Sequence, residues 1–283
     1  MHLVRRRSTR DRSGPGRGRR GPSRLLALLA AVAAVAALTA VGAAPASADQ
    51  SYRSGLPVIA GSRIDSSAGT CTVGAVLIPR SWYLSLTPYQ RATRYIVTAA
   101  HCGPMYSTVH VGTAAIGTVD WISPHDSDIE LIRVSPQPDE RTLYCRSHHS
   151  SAAFCSPIQT YTARANSQVF MPNRGRIGRQ PIQGTADAEG RFCTSGFASG
   201  VKCVFQPVSL PRGVQTRWSH VSAGETDEHD AITGGDSGGP VVSYGNQLLG
   251  IISGKTADGH YLLYTSSAQM LAELPAYVLA PTR

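Results

Sequence analysis

Ser237 stands in Gly234-Gly235-Asp236-Ser237-Gly238-Gly239-Pro240, among residues too small to cover its hydroxyl. An alcohol is a weak nucleophile unless a base takes its proton and an acid orients that base. A base is available in Thr98-Ala99-Ala100-His101-Cys102, at the end of the apolar run Tyr95-Ile96-Val97. An acid is available in Ser127-Asp128-Ile129-Glu130-Leu131-Ile132-Arg133-Val134, where Asp128 opens a short strand whose Ile129, Leu131 and Val134 read as half-buried. Taken singly, these are a glycine-rich turn, a strand-end histidine and a cap or turn aspartate. Taken together, they offer a nucleophile, a base and an orienting acid.

The order His, Asp, Ser and the three local contexts resemble the chymotrypsin-like serine protease family, whose hallmarks are a TAAHC segment, a DIxLI segment and GDSGGP. In style the chain is similar to the secreted bacterial streptogrisin-like members. The resemblance implies that Ser237 attacks an acyl carbon, that His101 takes its proton and returns it to the leaving group, and that Asp128 holds the imidazole in the correct tautomer. It places the oxyanion hole at the amides of Gly235 and Ser237, and it has Asp236 lock that loop through a buried ion pair. The activity implied is endopeptidase hydrolysis through an acyl-enzyme, with no cofactor and no metal. A catalytically silent binding or adhesion module on the same fold is the alternative, because fold does not fix function.

Departures from the family pattern bear on specificity and activation. Relatives usually carry a cysteine four residues before the nucleophile; here that residue is Thr233 and no cysteine follows Cys203. Ala231 stands where trypsin-like specificity needs an acid, so a preference for Arg or Lys is not expected. Ile252-Ser253-Gly254-Lys255 resembles the strand that pairs with substrate and walls the pocket. Ser253 would there bond Asp128, and Lys255 would either face the pocket or be a solvated loop lysine. Ile59 could supply a freed amine for Asp236, but Gly55-Leu56-Pro57-Val58 offers no basic cleavage site; streptogrisin-like relatives use an internal arginine, for which Arg174 is the candidate.

These groups must be carried by a scaffold, and the chain reads as all-β. Short β-branched or aromatic runs recur at 73–78, 95–97, 108–111, 201–205, 241–244, 248–252 and 261–264. A hydroxyl start signal at Ser266 with Met270, Leu271 and Leu274 predicts a short C-terminal helix before Pro275. The family fold adds two packed six-stranded antiparallel β-barrels, with residues 59–160 carrying His101 and Asp128 and residues 161–283 carrying Ser237, the oxyanion hole and the pocket. Residues 1–48 read as a secretory signal: a dense arginine region, the apolar run Leu25 to Ala44, and Ala46-Ser47-Ala48 predicting cleavage after Ala48. A membrane anchor is the competing reading of that run. Residues 49–58 would be a short N-terminal or pro-segment.

Charge narrows the partners. The first 48 residues hold nine Arg and one Asp, so of 27 basic and 18 acidic residues the remaining 235 keep 18 and 17. A net charge of +1 offers nothing general for nucleic acid to bind. The expected product is a secreted, extracellular monomer acting on protein or peptide, without stable membrane insertion after signal cleavage.

All six cysteines fall after the leader, an even number suited to an oxidising compartment. Fifteen pairings are open. The family resemblance favours Cys71 with Cys102, a closure contributing about 3.5 kcal/mol by chain entropy. Local pairing suggests Cys145 with Cys155 and Cys193 with Cys203. Zinc held by Cys145, His148, His149 and Cys155 is the alternative, although the spacing matches no common zinc pattern.

Overall fold

The computed structural model describes residues 51–147 and 153–282. The leader, His148 and His149 lie outside the described residues. Ser47–Arg283 forms one compact unit, and two sheets dominate it.

The C-terminal half holds a closed six-stranded barrel in the order Phe192–Gly196, Gly200–Val208, Ser222–Glu225, Tyr261–Ser266, Leu248–Lys255, Pro240–Ser243, all antiparallel. The N-terminal half differs from the expected second closed barrel. It is an eight-stranded sheet, open in its hydrogen bonding, in the order Tyr277–Leu279, Ala75–Pro79, Arg94–Thr98, Glu130–Val134, Ala114–Ile122, Thr108–Val111, Arg63–Ser66, Gly69–Thr72. Closure fails because one edge is taken by Tyr277–Leu279, which pairs with Ala75–Pro79. The run at 73–78 is also split at Val73-Gly74. A Cβ on Gly74 would come within 2.3 Å of Ile251 and 2.4 Å of the Gly238 carbonyl oxygen, so the glycine lets the first sheet touch the barrel beside the serine loop. A third sheet joins Val58–Ala60, in parallel, to the hairpin Ala165–Asn173 and Arg176–Pro181.

Alternation explains why the central strands read as unbroken apolar runs. In Ala75–Pro79, Val76 faces a core with Ile64, Ile96, Val109 and Ile132, while Leu77 faces a second core with Val97, Leu131, Val169, Val242 and Ile251. Within the barrel, Val242 and Ile251 join that second core, while Val241 and Ile252 turn inward against Phe192, Phe205 and Tyr264. Strands covered on both faces lose the polar half of the period-two pattern. Each fully buried Val, Leu or Ile contributes about 1.5–3 kcal/mol. The shared middle core is therefore a main tie between the halves that carry the candidate site.

The C-terminal helix spans Ser267–Glu273, capped by Ser266, whose hydroxyl accepts the Gln269 amide at 3.1 Å. It buries Met270 in the middle core and delivers the chain to Tyr277–Leu279. The disulfides join Cys71 to Cys102, Cys145 to Cys155 and Cys193 to Cys203. The zinc alternative fails on this pairing, because Cys145 and Cys155 are bonded to each other and cannot serve as thiolate ligands. Among the described residues no other cluster of His, Cys, Asp or Glu could hold a metal ion.

Candidate active site

His101 lies on a single helical turn, Ala100–Cys102, that ends the strand Arg94–Thr98. Two links hold the turn from below: the Cys71–Cys102 disulfide and the Cys102 amide donating to the Ala99 carbonyl at 2.9 Å. Asp128 precedes the strand Glu130–Val134, beginning two residues earlier than that strand, and is fully buried. Both its oxygens lie 3.0 Å from His101 Nδ1, and Oδ1 also accepts the His101 backbone N–H at 3.3 Å. A ring fixed in this way carries its proton on Nδ1 and leaves Nε2 as the basic nitrogen.

The serine loop docks onto the same turn. The Gly238 amide donates to Ile252 and the Ile252 amide to Gly239, at 2.7 and 2.8 Å. Gly238 has φ +79°, and a Cβ there would fall 1.8 Å from Thr98 Oγ1 and 2.7 Å from the Ala99 nitrogen. Only glycine fits between the serine and the histidine strand. Ser237 is half-buried beside it. Its hydroxyl makes no hydrogen bond among the described residues, and catalytic hydrogen bonds are often long before substrate binds. The amides of Gly235 and Ser237 likewise donate to no group among the described residues. Gly235 has φ +99°, and a Cβ there would lie 3.4 Å from Ala198 Cβ and 4.0 Å from the Phe197 ring.

Asp236 corrects the expected ion pair. Its carboxylate is fully buried, yet Oδ1 accepts the consecutive amides of Ala198 and Ser199 at 2.8 and 2.9 Å, and Oδ2 accepts the Thr233 amide at 2.9 Å. Successive backbone N–H groups form an anion-binding concavity without a cation. Arg174 sits at the exposed tip of the 165–181 hairpin with φ +50°. Ile59 is buried in strand Val58–Ala60, and its amide donates to Ser62 Oγ at 3.0 Å.

The expected Ser253 contact is also replaced. The ladder between Leu248–Lys255 and Tyr261–Ser266 slips between Ile252 and Gly254, and the Ser253 hydroxyl pairs with Thr265 Oγ1 at 3.3 Å. Ala231 is buried with Phe205, Ile252, Leu262 and Tyr264, so its surroundings are apolar. Lys255 is ion-paired with Asp230, which also meets His229 Nδ1 at 3.2 Å. The hydrogen bond from Lys255, followed by that from His229, holds the Asp230 carboxyl below the usual range. A cleft of about 470 Å³ on the barrel, lined by residues including Gln206, Glu225, Glu228 and His260, contains no member of the His–Asp–Ser set.

Sequence reasoning missed three residues. Thr72 is fully buried and links both halves: its amide donates to the Ser237 carbonyl at 2.8 Å, its hydroxyl donates to the Gly235 carbonyl at 2.7 Å and accepts the Phe197 amide at 2.9 Å, and its carbonyl accepts the Thr98 hydroxyl at 2.8 Å. Its only sequence signal was adjacency to Cys71. Arg53 is 1% exposed; Nη1 donates to the Gly61 carbonyl and to Ser195 Oγ, and the guanidinium lies 4.7 Å from the Phe170 ring centre. It braces the strand leading to Gly196, against which the Asp236 carboxylate packs.

Glu130 is the third. It is buried two residues beyond Asp128. Burial is the main cause that raises its carboxyl to about 9, opposed by a hydrogen bond from the Gly103 amide and reinforced by the nearby Asp128 charge. The acid is thus neutral at pH 7 in the fold but ionised in the unfolded chain. Stability from this group is complete below about pH 4.5 and is lost as pH rises toward 9. Glu130→Gln is expected to remove this loss, raising stability at pH 8 relative to pH 5 by roughly 4 kcal/mol over the parent. Urea unfolding of both proteins at the two pH values measures it, and parallel pH profiles would refute it.

The trypsin family model matches residues 198–272. Among solved structures, Nocardiopsis protease aligns with TM-score 0.51 at 22% identity, covering 79% of this chain and 98% of that one. Thermobifida fusca protease A aligns with TM-score 0.51 at 20% identity, again over 79% and 98%. No curated protein matches the sequence. The chain therefore carries the chymotrypsin-like protease fold and resembles bacterial members of that group.

Proposed function

We propose that this chain is a secreted serine endopeptidase that cleaves peptide bonds through an acyl-enzyme. The observation that carries the reading is the His101 imidazole, bound at Nδ1 by the buried Asp128, on a turn against which the Ser237 loop is locked at Gly238. Residues 59–160 supply the base and its orienting acid, and residues 161–283 supply the nucleophile and pocket.

In this reading His101 Nε2 takes the Ser237 proton as Oγ attacks the scissile carbonyl. The developing oxyanion is met by the amides of Gly235 and Ser237, the loss of either costing about 3–4 kcal/mol. The imidazolium, held by Asp128, then protonates the leaving amine, and water repeats the sequence on the acyl-enzyme. Gly238 keeps the two reacting segments in register, so little reorganisation accompanies attack. A basic side chain before the scissile bond meets no carboxylate at Ala231. An acidic one meets a Lys255 already paired with Asp230, which leaves apolar side chains favoured.

Secretion is supported by the leader-like composition of residues 1–48 and by the three disulfides. A fluorophosphonate is expected to label Ser237 stoichiometrically, and His101→Ala to abolish the labelling. Intact-mass measurement reads both. An oxidised, folded protein that takes up no label would return the chain to the binding-module reading.

A further inference from the structure

Away from the candidate site, residues 81–92 display apolar side chains on a frame that satisfies its own polar groups. Trp82 is 74% and Leu86 59% exposed, with Tyr83, Leu84 and Tyr89 exposed between and after them. The Leu84 amide donates to the Ser81 carbonyl and Ser85 Oγ to the Trp82 carbonyl. Thr87 and Gln90 close a capping box around Pro88–Ala92, and Arg91 Nη1 donates to the Leu86 carbonyl at 2.7 Å. A segment built this way gains little from burying its own aromatics and holds them outward in fixed positions. Contiguous exposed apolar groups on a rigid frame mark an interaction surface.

Charge selects the partner. From Ser66 to Val119 the sequence has no Asp or Glu. Clefts of about 230 and 190 Å³ flank the segment; the second is lined by Arg80, Arg91 and Arg94, the first by Arg91 and Arg94, and neither by a carboxylate. A second copy of this face would bring like charges together. The leader, with nine Arg and one Asp in residues 1–48, is repelled equally. Trp, Tyr and Leu beside arginines are the composition that settles at a lipid interface, with rings and aliphatic chains at the acyl boundary and guanidinium groups at phosphate. The near-neutral charge of residues 49–283 does not oppose this, because the attraction acts within a Debye length of the surface.

We propose that the Trp82–Leu86 face, with Arg80 and Arg91, docks the protein peripherally on an anionic lipid bilayer. Contact is interfacial; among the described residues no helix is long and apolar enough to cross a membrane. The docking leaves the hydrolytic reading untouched, since none of these residues belongs to the His101, Asp128 and Ser237 set.

The test uses oxidised residues 49–283, which lie within the compact unit, and sedimentation with phosphatidylcholine vesicles containing or lacking about 30% phosphatidylglycerol. The expected result is partition onto the anionic vesicles only, reduced about tenfold or more in Trp82→Ala/Leu86→Ala and in Arg80→Glu. Both variants should keep the parent melting temperature and fluorophosphonate reactivity, since the altered side chains are exposed. No partition of the parent, or equal partition of the Trp82→Ala/Leu86→Ala variant, would overturn the proposal. Unchanged binding by Arg80→Glu would overturn the anionic surface as partner. Sedimentation with insoluble peptidoglycan but not with vesicles would reassign the face to a saccharide and defeat the lipid reading.

Discussion

Asp128→Asn is expected to lower peptide hydrolysis about ten-thousand-fold while leaving the urea midpoint near that of the parent. The geometry dictates the size of the loss. Asp128 Oδ1 accepts both the His101 amide and Nδ1–H, and Oδ2 accepts Nδ1–H as well, so the site needs two acceptor oxygens. Asparagine offers one acceptor and one donor. Whichever way its amide turns, an NH₂ group confronts either the backbone N–H or the ring N–H. The ring relieves the conflict by moving its proton to Nε2, the nitrogen that receives the serine proton in the proposed reaction. Shape is retained and the base is lost. Kinetics on a peptide amide, with fluorophosphonate labelling rates alongside, measures the change. A variant within tenfold of the parent would remove Asp128 from the mechanism.

The residues legible in sequence were those whose three motifs occur together in order, since each taken singly had an ordinary reading. Ser237 stands out because glycines surround it, and Gly238 proves to be a position where a side chain would strike Thr98. The strands could be read from β-branched runs, and the capped C-terminal helix from Ser266 and its apolar spacing. Topology was less legible. Tyr277–Leu279 has only three residues, too few to show a period, and its pairing with Ala75–Pro79 keeps the N-terminal sheet open. Thr72, Glu130 and Arg53 were invisible for a different reason: each acts through long-range contacts to segments remote in sequence or through burial. A buried arginine and a neutral glutamic acid look like ordinary surface residues in a string. The Asp236 error has the same origin, since backbone amides leave no mark in the sequence and a search for its partner returns only cations.

Asp236→Ala is expected to destabilise the fold by about 3–6 kcal/mol and to lower turnover by at least about a hundredfold. Three part-buried amide hydrogen bonds, from Ala198, Ser199 and Thr233, end on this one fully buried carboxylate. Its removal leaves all three without their acceptor in partly buried surroundings, each at a cost of about 1–2 kcal/mol, the lower part of the range for an unmade hydrogen bond. For a chain of this size the melting temperature should fall on the order of 10 °C. Turnover suffers because the same carboxylate fixes the residues on either side of it. Gly235, with φ +99°, directly precedes Asp236, and the carboxylate holds the Ala198 amide beside it, where a Cβ on Gly235 would lie 3.4 Å from Ala198, so the turn presenting the Gly235 and Ser237 amides loses its tie to that segment. Asp236→Asn separates the two effects. Its oxygen can still receive Ala198 and Ser199 while its NH₂ faces the Thr233 amide, which predicts a smaller loss of about 1–3 kcal/mol and a turnover between those of the parent and the alanine variant. Adding an Arg174→Ala arm keeps the assignment falsifiable: that variant should match the parent in both stability and turnover, because Arg174 lies at an exposed hairpin tip. A large loss in Arg174→Ala, comparable to that in Asp236→Ala, would restore the internal ion pair and refute the amide-held loop.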